Sequence, residues 1–83
     1  VSAALKLYVK SWCPWCISAT HYLKKRSYTF ETIDVLRDAA AYDEMIRVSG
    51  QRYTPTLVVH DKVLADFGTD ELEAFLNEHR IQP

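Results

Sequence analysis

At residue 13 the repeat of apolar side chains changes. In LKLYVK, residues 5 to 10, Leu5, Leu7 and Val9 fall on one face and Tyr8 on the other, the two-residue period of a strand. From Pro14 to about Arg26 the period is helical instead, with Cys16, Ala19, Thr20 and Leu23 recurring on one side. Pro14 suits a first helical turn, and Lys24, Lys25 and Arg26 complement the negative end of the helix dipole. A strand that runs straight into a helix lays that helix back on its own sheet, which commits the chain early to a βα architecture. The stretch where the period changes is SWCPWC, residues 11 to 16, and it holds the only two cysteines, Cys13 and Cys16.

The alternation continues to the end. YTFETIDV (28 to 35) is rich in β-branched and aromatic residues and reads as a second strand. Asp38 is placed to cap a helix through Tyr42, Met45, Ile46 and Ser49, and Gly50 to close it in a left-handed conformation. After Pro55, TLVVH and KVLADF flank Asp61 as two strands of a hairpin, although the turn lacks the favoured Asn-Gly or Asp-Gly. Thr69 is expected to cap a last helix with Leu72, Phe75 and Leu76 as its apolar stripe. The expected order is β-α-β-α-β-β-α: an α/β fold whose four-stranded mixed sheet has a parallel βαβ part, an antiparallel hairpin and three covering helices.

An 83-residue chain has room for one core, so residues 1–83 are expected to form a single domain. Ten basic and eleven acidic side chains are interspersed, leaving a net charge of -1 and no field that would attract nucleic acid or an anionic membrane. With 48% apolar and 12% aromatic residues the composition is that of a folded chain. No apolar run approaches the roughly 20 residues that span a bilayer, and the cytoplasm is the expected compartment. The first three or four residues read as processed or added sequence.

Cys13 falls where strand gives way to helix, and Cys16, three residues on, shares its helix face, so the two sulfurs can come within bonding reach. A purely structural disulfide is poorly placed, because so short a loop removes little unfolded-state entropy. A zinc site lacks ligands: His21, His60 and His79 are scattered singly, and no second C-x-x-C pair completes a tetrahedral shell. Thiol–disulfide exchange fits best. The thiolate is the reactive form, and an unshifted thiol is only about 3% ionised at pH 7. Unpaired N–H groups and the positive dipole end at a helix start favour the anion, and Cys13 is so placed; Lys10 could add a nearby cation. A shift of about three pH units raises the thiolate fraction about thirtyfold while intrinsic reactivity falls about twentyfold, so the surviving gain is a thiolate that leaves readily. Cys16, one turn inside and on the apolar face, is the expected resolving thiol. His21, His60, His79, Tyr8, Tyr28 and Phe30 read as surface or packing residues.

With YVKSWCPWC at the first strand and helix, YDEMIRVSG in the second helix, YTPTLVV where a Thr-Val-Pro segment is expected and FGTDELEAFL where Gly-Gly-x-Asp-Asp-Leu is expected, the chain resembles the glutaredoxins, of the thioredoxin-fold superfamily, over essentially its whole length. The resemblance implies glutathione-dependent thiol–disulfide exchange: Cys13 attacks protein disulfides or glutathione mixed disulfides, and Cys16 resolves protein disulfides. It also implies a cis Thr54–Pro55 bond, with the Thr54 backbone pairing to the cysteine part of glutathione. Lys10 and Gln51 or Arg52 would meet the glycine carboxylate, Trp15 would wall the thiols, and Gly68, Thr69 and Asp70 would hold the γ-glutamyl end, its carboxylate at helix N–H groups and its ammonium at Asp70. Glutathione enters as a co-substrate, with no tightly bound cofactor and no metal, and the chain is expected to act as a monomer on disulfide-containing proteins.

Phe67 stands where the first of the paired glycines is expected, next to the γ-glutamyl end. Thr54 replaces the usual valine, a near-isosteric swap that adds a hydroxyl. Trp12 and Thr56-Leu57 are more similar to thioredoxin. These departures imply an alternative, a glutaredoxin-like redoxin reduced by thioredoxin reductase, similar to those that serve ribonucleotide reductase. A third reading, an iron–sulfur cluster carrier, is disfavoured by Pro14.

Overall fold

The computed structural model describes residues 4–83. The opening residues read as processed or added sequence lie, for positions 1–3, outside the described residues. In chain order the elements are β1 (Leu5–Val9), α1 (Pro14–Lys25), β2 (Phe30–Asp34), α2 (Ala39–Ser49), β3 (Thr56–Val59), β4 (Lys62–Ala65) and α3 (Thr69–Glu78). This is the expected order. The sheet runs β2-β1-β3-β4, with β1 parallel to β2 and antiparallel to β3, and β3 antiparallel to β4.

The central strand β1 serves two cores. Leu5, Leu7 and Val9 join Leu57 and Val59 of β3 beneath Cys16, Ala19 and Leu23 of α1 and Leu72, Phe75 and Leu76 of α3. On the opposite face Tyr8 is buried with Val35 and Met45, and α2 covers it. Helices therefore flank the sheet on both sides, α1 and α3 together and α2 alone.

Several boundaries move from those expected, each for a local reason. β1 stops at Val9 because the Lys10 carbonyl is taken by the Cys13 N–H (3.1 Å), which turns the chain toward α1. The second strand begins at Phe30 instead of Tyr28, because Tyr28 N–H closes a turn onto Leu23 O (2.9 Å) after Ser27 adopts a positive φ of 65°. The hairpin lacks glycine, and His60 takes the left-handed conformation (φ 58°) in its place. At α3 the cap is Gly68 instead of Thr69: Gly68 is extended, its carbonyl accepts from Leu72 N–H (3.0 Å), and Thr69 is the first helical residue. The α2 ends follow expectation, with Asp38 accepting from Ala41 N–H (3.1 Å) and Gly50 left-handed at φ 71°. Among the described residues no helix is long and apolar enough to cross a membrane, and no three His, Cys, Asp or Glu side chains cluster as metal ligands.

Candidate active site

Pro14 opens α1 and leaves Cys13 as its N-cap, with extended backbone (φ -81°, ψ 116°). In that position a side chain reaches the unpaired N–H groups of the first turn, and Cys13 Sγ accepts from Cys16 N–H at 3.4 Å. Both cysteines are free, and both are sunk below the surface, Cys13 at 6% exposure and Cys16 at 2%.

Burial and hydrogen bonding separate the two thiols. Burial pushes the Cys13 thiol up, but hydrogen bonds from the Cys16 thiol and N–H, from Thr54 and from Trp15 N–H outweigh it and hold Cys13 below the ordinary thiol value. Burial dominates at Cys16; a Thr54 hydrogen bond opposes it, and the bond and charge of Cys13 add to it, leaving Cys16 pushed up to about 11. Such a pair gives up its first proton from Cys13, while Cys16 keeps its own. Lys10 enters this arrangement through its backbone carbonyl, and its side chain borders a groove with Ser11, Cys16 and Thr20.

Across from Cys13 lies the segment before β3. The Thr54–Pro55 bond is cis. Thr54 is buried at 8%, and its carbonyl lies 3.9 Å from Cys13 Sγ, where a protonated thiol donates to it. On the third side Trp15, 62% exposed, stands over Gly68: a Cβ there would come 3.7 Å from the indole and 3.3 Å from the Glu71 carboxylate. Trp15, Asp66, Phe67, Gly68 and Glu71 bound one cleft. Phe67 turns inward, 3% exposed and packed in the core, so its bulk is spent on the fold and not on the space above Gly68.

The remaining expected residues are spread more widely. Thr69 and Asp70 line a groove between α1 and α3, with Ile17, His21 and Glu73. Gln51 is turned inward on its own loop: its amide nitrogen donates to Ser49 Oγ (2.8 Å) and Thr56 Oγ1 (3.0 Å), and its oxygen accepts from Tyr53 N–H (2.6 Å). Arg52 is exposed. Three residues not singled out as site residues also belong here. Trp12 and Tyr53 are exposed large aromatics on the two segments that flank the thiols, and their size beside the Cys and Pro motifs was the available signal. Glu71 accepts from Gly68 N–H at 3.4 Å; an acidic side chain three residues past a helix cap is the corresponding pattern.

A glutaredoxin family model matches residues 5–64, from β1 through most of β4. A putative glutaredoxin of Mycobacterium tuberculosis is 30% identical over 78 residues, covering 92% of this chain and 93% of the relative. Among solved structures, the thioredoxin-like protein BC3987 superposes with a TM-score of 0.79 at 30% identity, covering 87% of this chain and 99% of that one. The glutaredoxin-like protein NrdH-redoxin from Escherichia coli superposes with a TM-score of 0.72 at 25% identity, covering 86% and 92%. The architecture is a thioredoxin fold.

Proposed function

The chain belongs to the glutaredoxin family, and on that premise we propose that it is a glutathione-dependent thiol–disulfide oxidoreductase with Cys13 as nucleophile and Cys16 as resolving thiol. The observation that carries this is the placement of the two thiols: Cys13 Sγ caps α1, accepting from Cys16 N–H at 3.4 Å and lying 3.9 Å from the Thr54 carbonyl, while Cys16 is buried inside the first helical turn. In the first step the Cys13 thiolate attacks one sulfur of a substrate disulfide, a Cys13–substrate disulfide forms, and the departing thiolate takes a proton from water. Cys16 then loses its proton to solvent and attacks Cys13 Sγ, which closes the Cys13–Cys16 disulfide and expels the second substrate thiolate. Two electrons have passed to the substrate. Two glutathione thiols return them, becoming glutathione disulfide, and the pair is reduced again in a cytosolic setting. Glutathione is thus a co-substrate, held along Lys10, the Thr54 backbone beside Pro55, and the α3 start at Gly68, Thr69 and Asp70. An inward Phe67 leaves that start accessible.

A second reading has a specific support. NrdH-redoxin is described as having a thioredoxin-like activity profile, and this chain shares its fold at 25% identity. Trp12, Trp15 and Tyr53, all more than half exposed around sunken sulfurs, would meet a protein donor such as thioredoxin reductase. The deciding measurement is NADPH consumption by the oxidised protein with a small disulfide substrate, comparing glutathione plus glutathione reductase with thioredoxin reductase. Turnover with glutathione is the expected result. Turnover with thioredoxin reductase alone would replace glutathione as the donor and leave the Cys13–Cys16 chemistry in place.

A further inference from the structure

The backbone on either side of Thr54 and Pro55 is anchored. On the near side, Gln51 Nε2 donates to Ser49 Oγ (2.8 Å) at the end of α2 and to Thr56 Oγ1 (3.0 Å) in β3, while Gln51 Oε1 accepts from Tyr53 N–H (2.6 Å). Thr56 Oγ1 in turn donates to Tyr53 O (2.8 Å). Tyr53 is therefore tied at both its N–H and its carbonyl, by two side chains that also bond to each other. On the far side, the Pro55 carbonyl accepts from Asp66 N–H (2.9 Å), where the chain leaves β4. Thr54, held between these points, turns its carbonyl to Cys13 Sγ at 3.9 Å. Thr56 is fully buried and Gln51 half-buried, and both donors and the acceptor of the Gln51 amide are engaged inward. A side chain committed in this way does not reach outward for a glycine carboxylate, the role that the resemblance implied for it.

We propose that Gln51 is a positioning residue for the exchange: through Thr56 and the Tyr53 backbone it fixes the Thr54 peptide groups where a peptide-like disulfide pairs with them, and it touches neither substrate nor sulfur itself. This rests on the glutathione reading, in which the Thr54 backbone pairs with the cysteine part of glutathione. Fixing a peptide group before the substrate arrives removes an ordering cost from the encounter and aligns the substrate sulfur with Cys13. A disulfide without a peptide group cannot use that alignment, so the brace discriminates between substrates that offer Cys13 the same sulfur–sulfur bond. The step affected is the first: Cys13 Sγ bonds to one substrate sulfur, the substrate S–S bond breaks, and the departing thiolate takes a proton from water.

The test follows the disappearance of the reduced full chain after mixing with excess disulfide, by acid quench and mass, with glutathione disulfide and bis(2-hydroxyethyl) disulfide as the two probes. The readout is the ratio of their second-order rate constants, divided by the same ratio for dithiothreitol. A change in fold stability or in the Cys13 thiolate fraction enters both rate constants and cancels. The wild type should favour glutathione disulfide; Gln51→Ala should lower the ratio about tenfold, and Thr56→Val, a change at a fully buried side chain, about fivefold, the scale of one aligned hydrogen bond. Thr56→Ser, which keeps the hydroxyl, should match the wild type. A fall in Gln51→Ala with none in Thr56→Val would make Gln51 a direct glutathione contact and overturn the proposal. An unchanged ratio in Gln51→Ala would overturn it too, as would a Thr56→Ser variant that falls as far as Thr56→Val. A wild type with no preference for glutathione disulfide would refute the Thr54 pairing itself, and the proposal with it.

Discussion

Cys13 and Cys16 are three residues apart on one helical turn, and most of what distinguishes them is where each sulfur sits relative to that turn. Cys13 Sγ, at the N-cap, accepts from the Cys16 backbone N–H, whereas Cys16 lies inside the turn and is the more deeply buried. With Cys16 pushed up to about 11, only about one molecule in ten thousand carries a Cys16 thiolate at pH 7. Alkylation of the reduced protein at that pH should label Cys13 alone, and labelling of Cys16 at a comparable rate would refute the assignment of nucleophile and resolver. The two substitutions should also differ. Cys13→Ser removes all exchange, whereas Cys16→Ser keeps a hydroxyl donor beside Cys13 and retains reduction of a glutathionylated substrate while losing some protein disulfides. Equal inactivation of both in a glutathione-driven assay would remove the one-thiol route. The placement of the two cysteines was legible locally, because a C-x-x-C at a strand-to-helix change fixes its own geometry. The contact with Thr54 was not, since 41 residues of chain separate it from Cys13 and only the folded sheet brings them together.

At the scale of elements, β1 and α2 meet through one polar contact in an apolar layer. Tyr8 Oη donates to Glu44 Oε1 at 2.5 Å, and burial first, then this bond and the Glu44 charge, push the tyrosine up to about 12. The folded value lies above the unfolded one of about 10, so between those limits the unfolded chain binds fewer protons and stability falls as pH rises. Below about pH 10 the contribution is fully present. In the oxidised protein, where neither cysteine titrates, the urea midpoint should decline from pH 10 to 12, and Tyr8→Phe should flatten the decline. It should not abolish it, because burial also raises Tyr22 and Tyr28. Equal slopes in the two proteins would show that Tyr8 does not carry the effect. The alternation in LKLYVK placed Tyr8 on the face away from Leu5, Leu7 and Val9, but its partner lies 36 residues on and has no local signature. The α2 ends were readable for the opposite reason: Asp38 and Gly50 act on the backbone within four residues of themselves. At α3 the same logic misled by one position, since the threonine suited to capping follows a glycine whose extended backbone takes the cap, and Glu71 supplies the carboxylate.

For the whole molecule the question is whether the two cores separated by the sheet stand or fall together. β1 belongs to both, giving Leu5, Leu7 and Val9 to the layer under α1 and α3 and Tyr8 to the layer under α2. A strand cannot leave one layer without leaving the other, so cooperative unfolding follows from the period-2 alternation of a single central strand. Met45 tests this from the side remote from the thiols. It is fully buried beneath α2, and Met45→Ala should cost about 2–5 kcal/mol through lost contacts and the cavity left behind. That is a large share of the roughly 5–15 kcal/mol expected of a small domain. Two probes then report on different parts of the fold in urea: far-UV circular dichroism for all the helices, and alkylation of Cys16 for the α1 layer alone, where the thiol is buried at 2% exposure. If the sheet couples the layers, Met45→Ala lowers both midpoints equally, although no Met45 atom belongs to the cluster around Cys16. A Cys16 midpoint that stays at its wild-type value while the dichroism midpoint falls would mean that the α2 layer unfolds by itself and that the site rests on the α1, β1 and α3 layer without it.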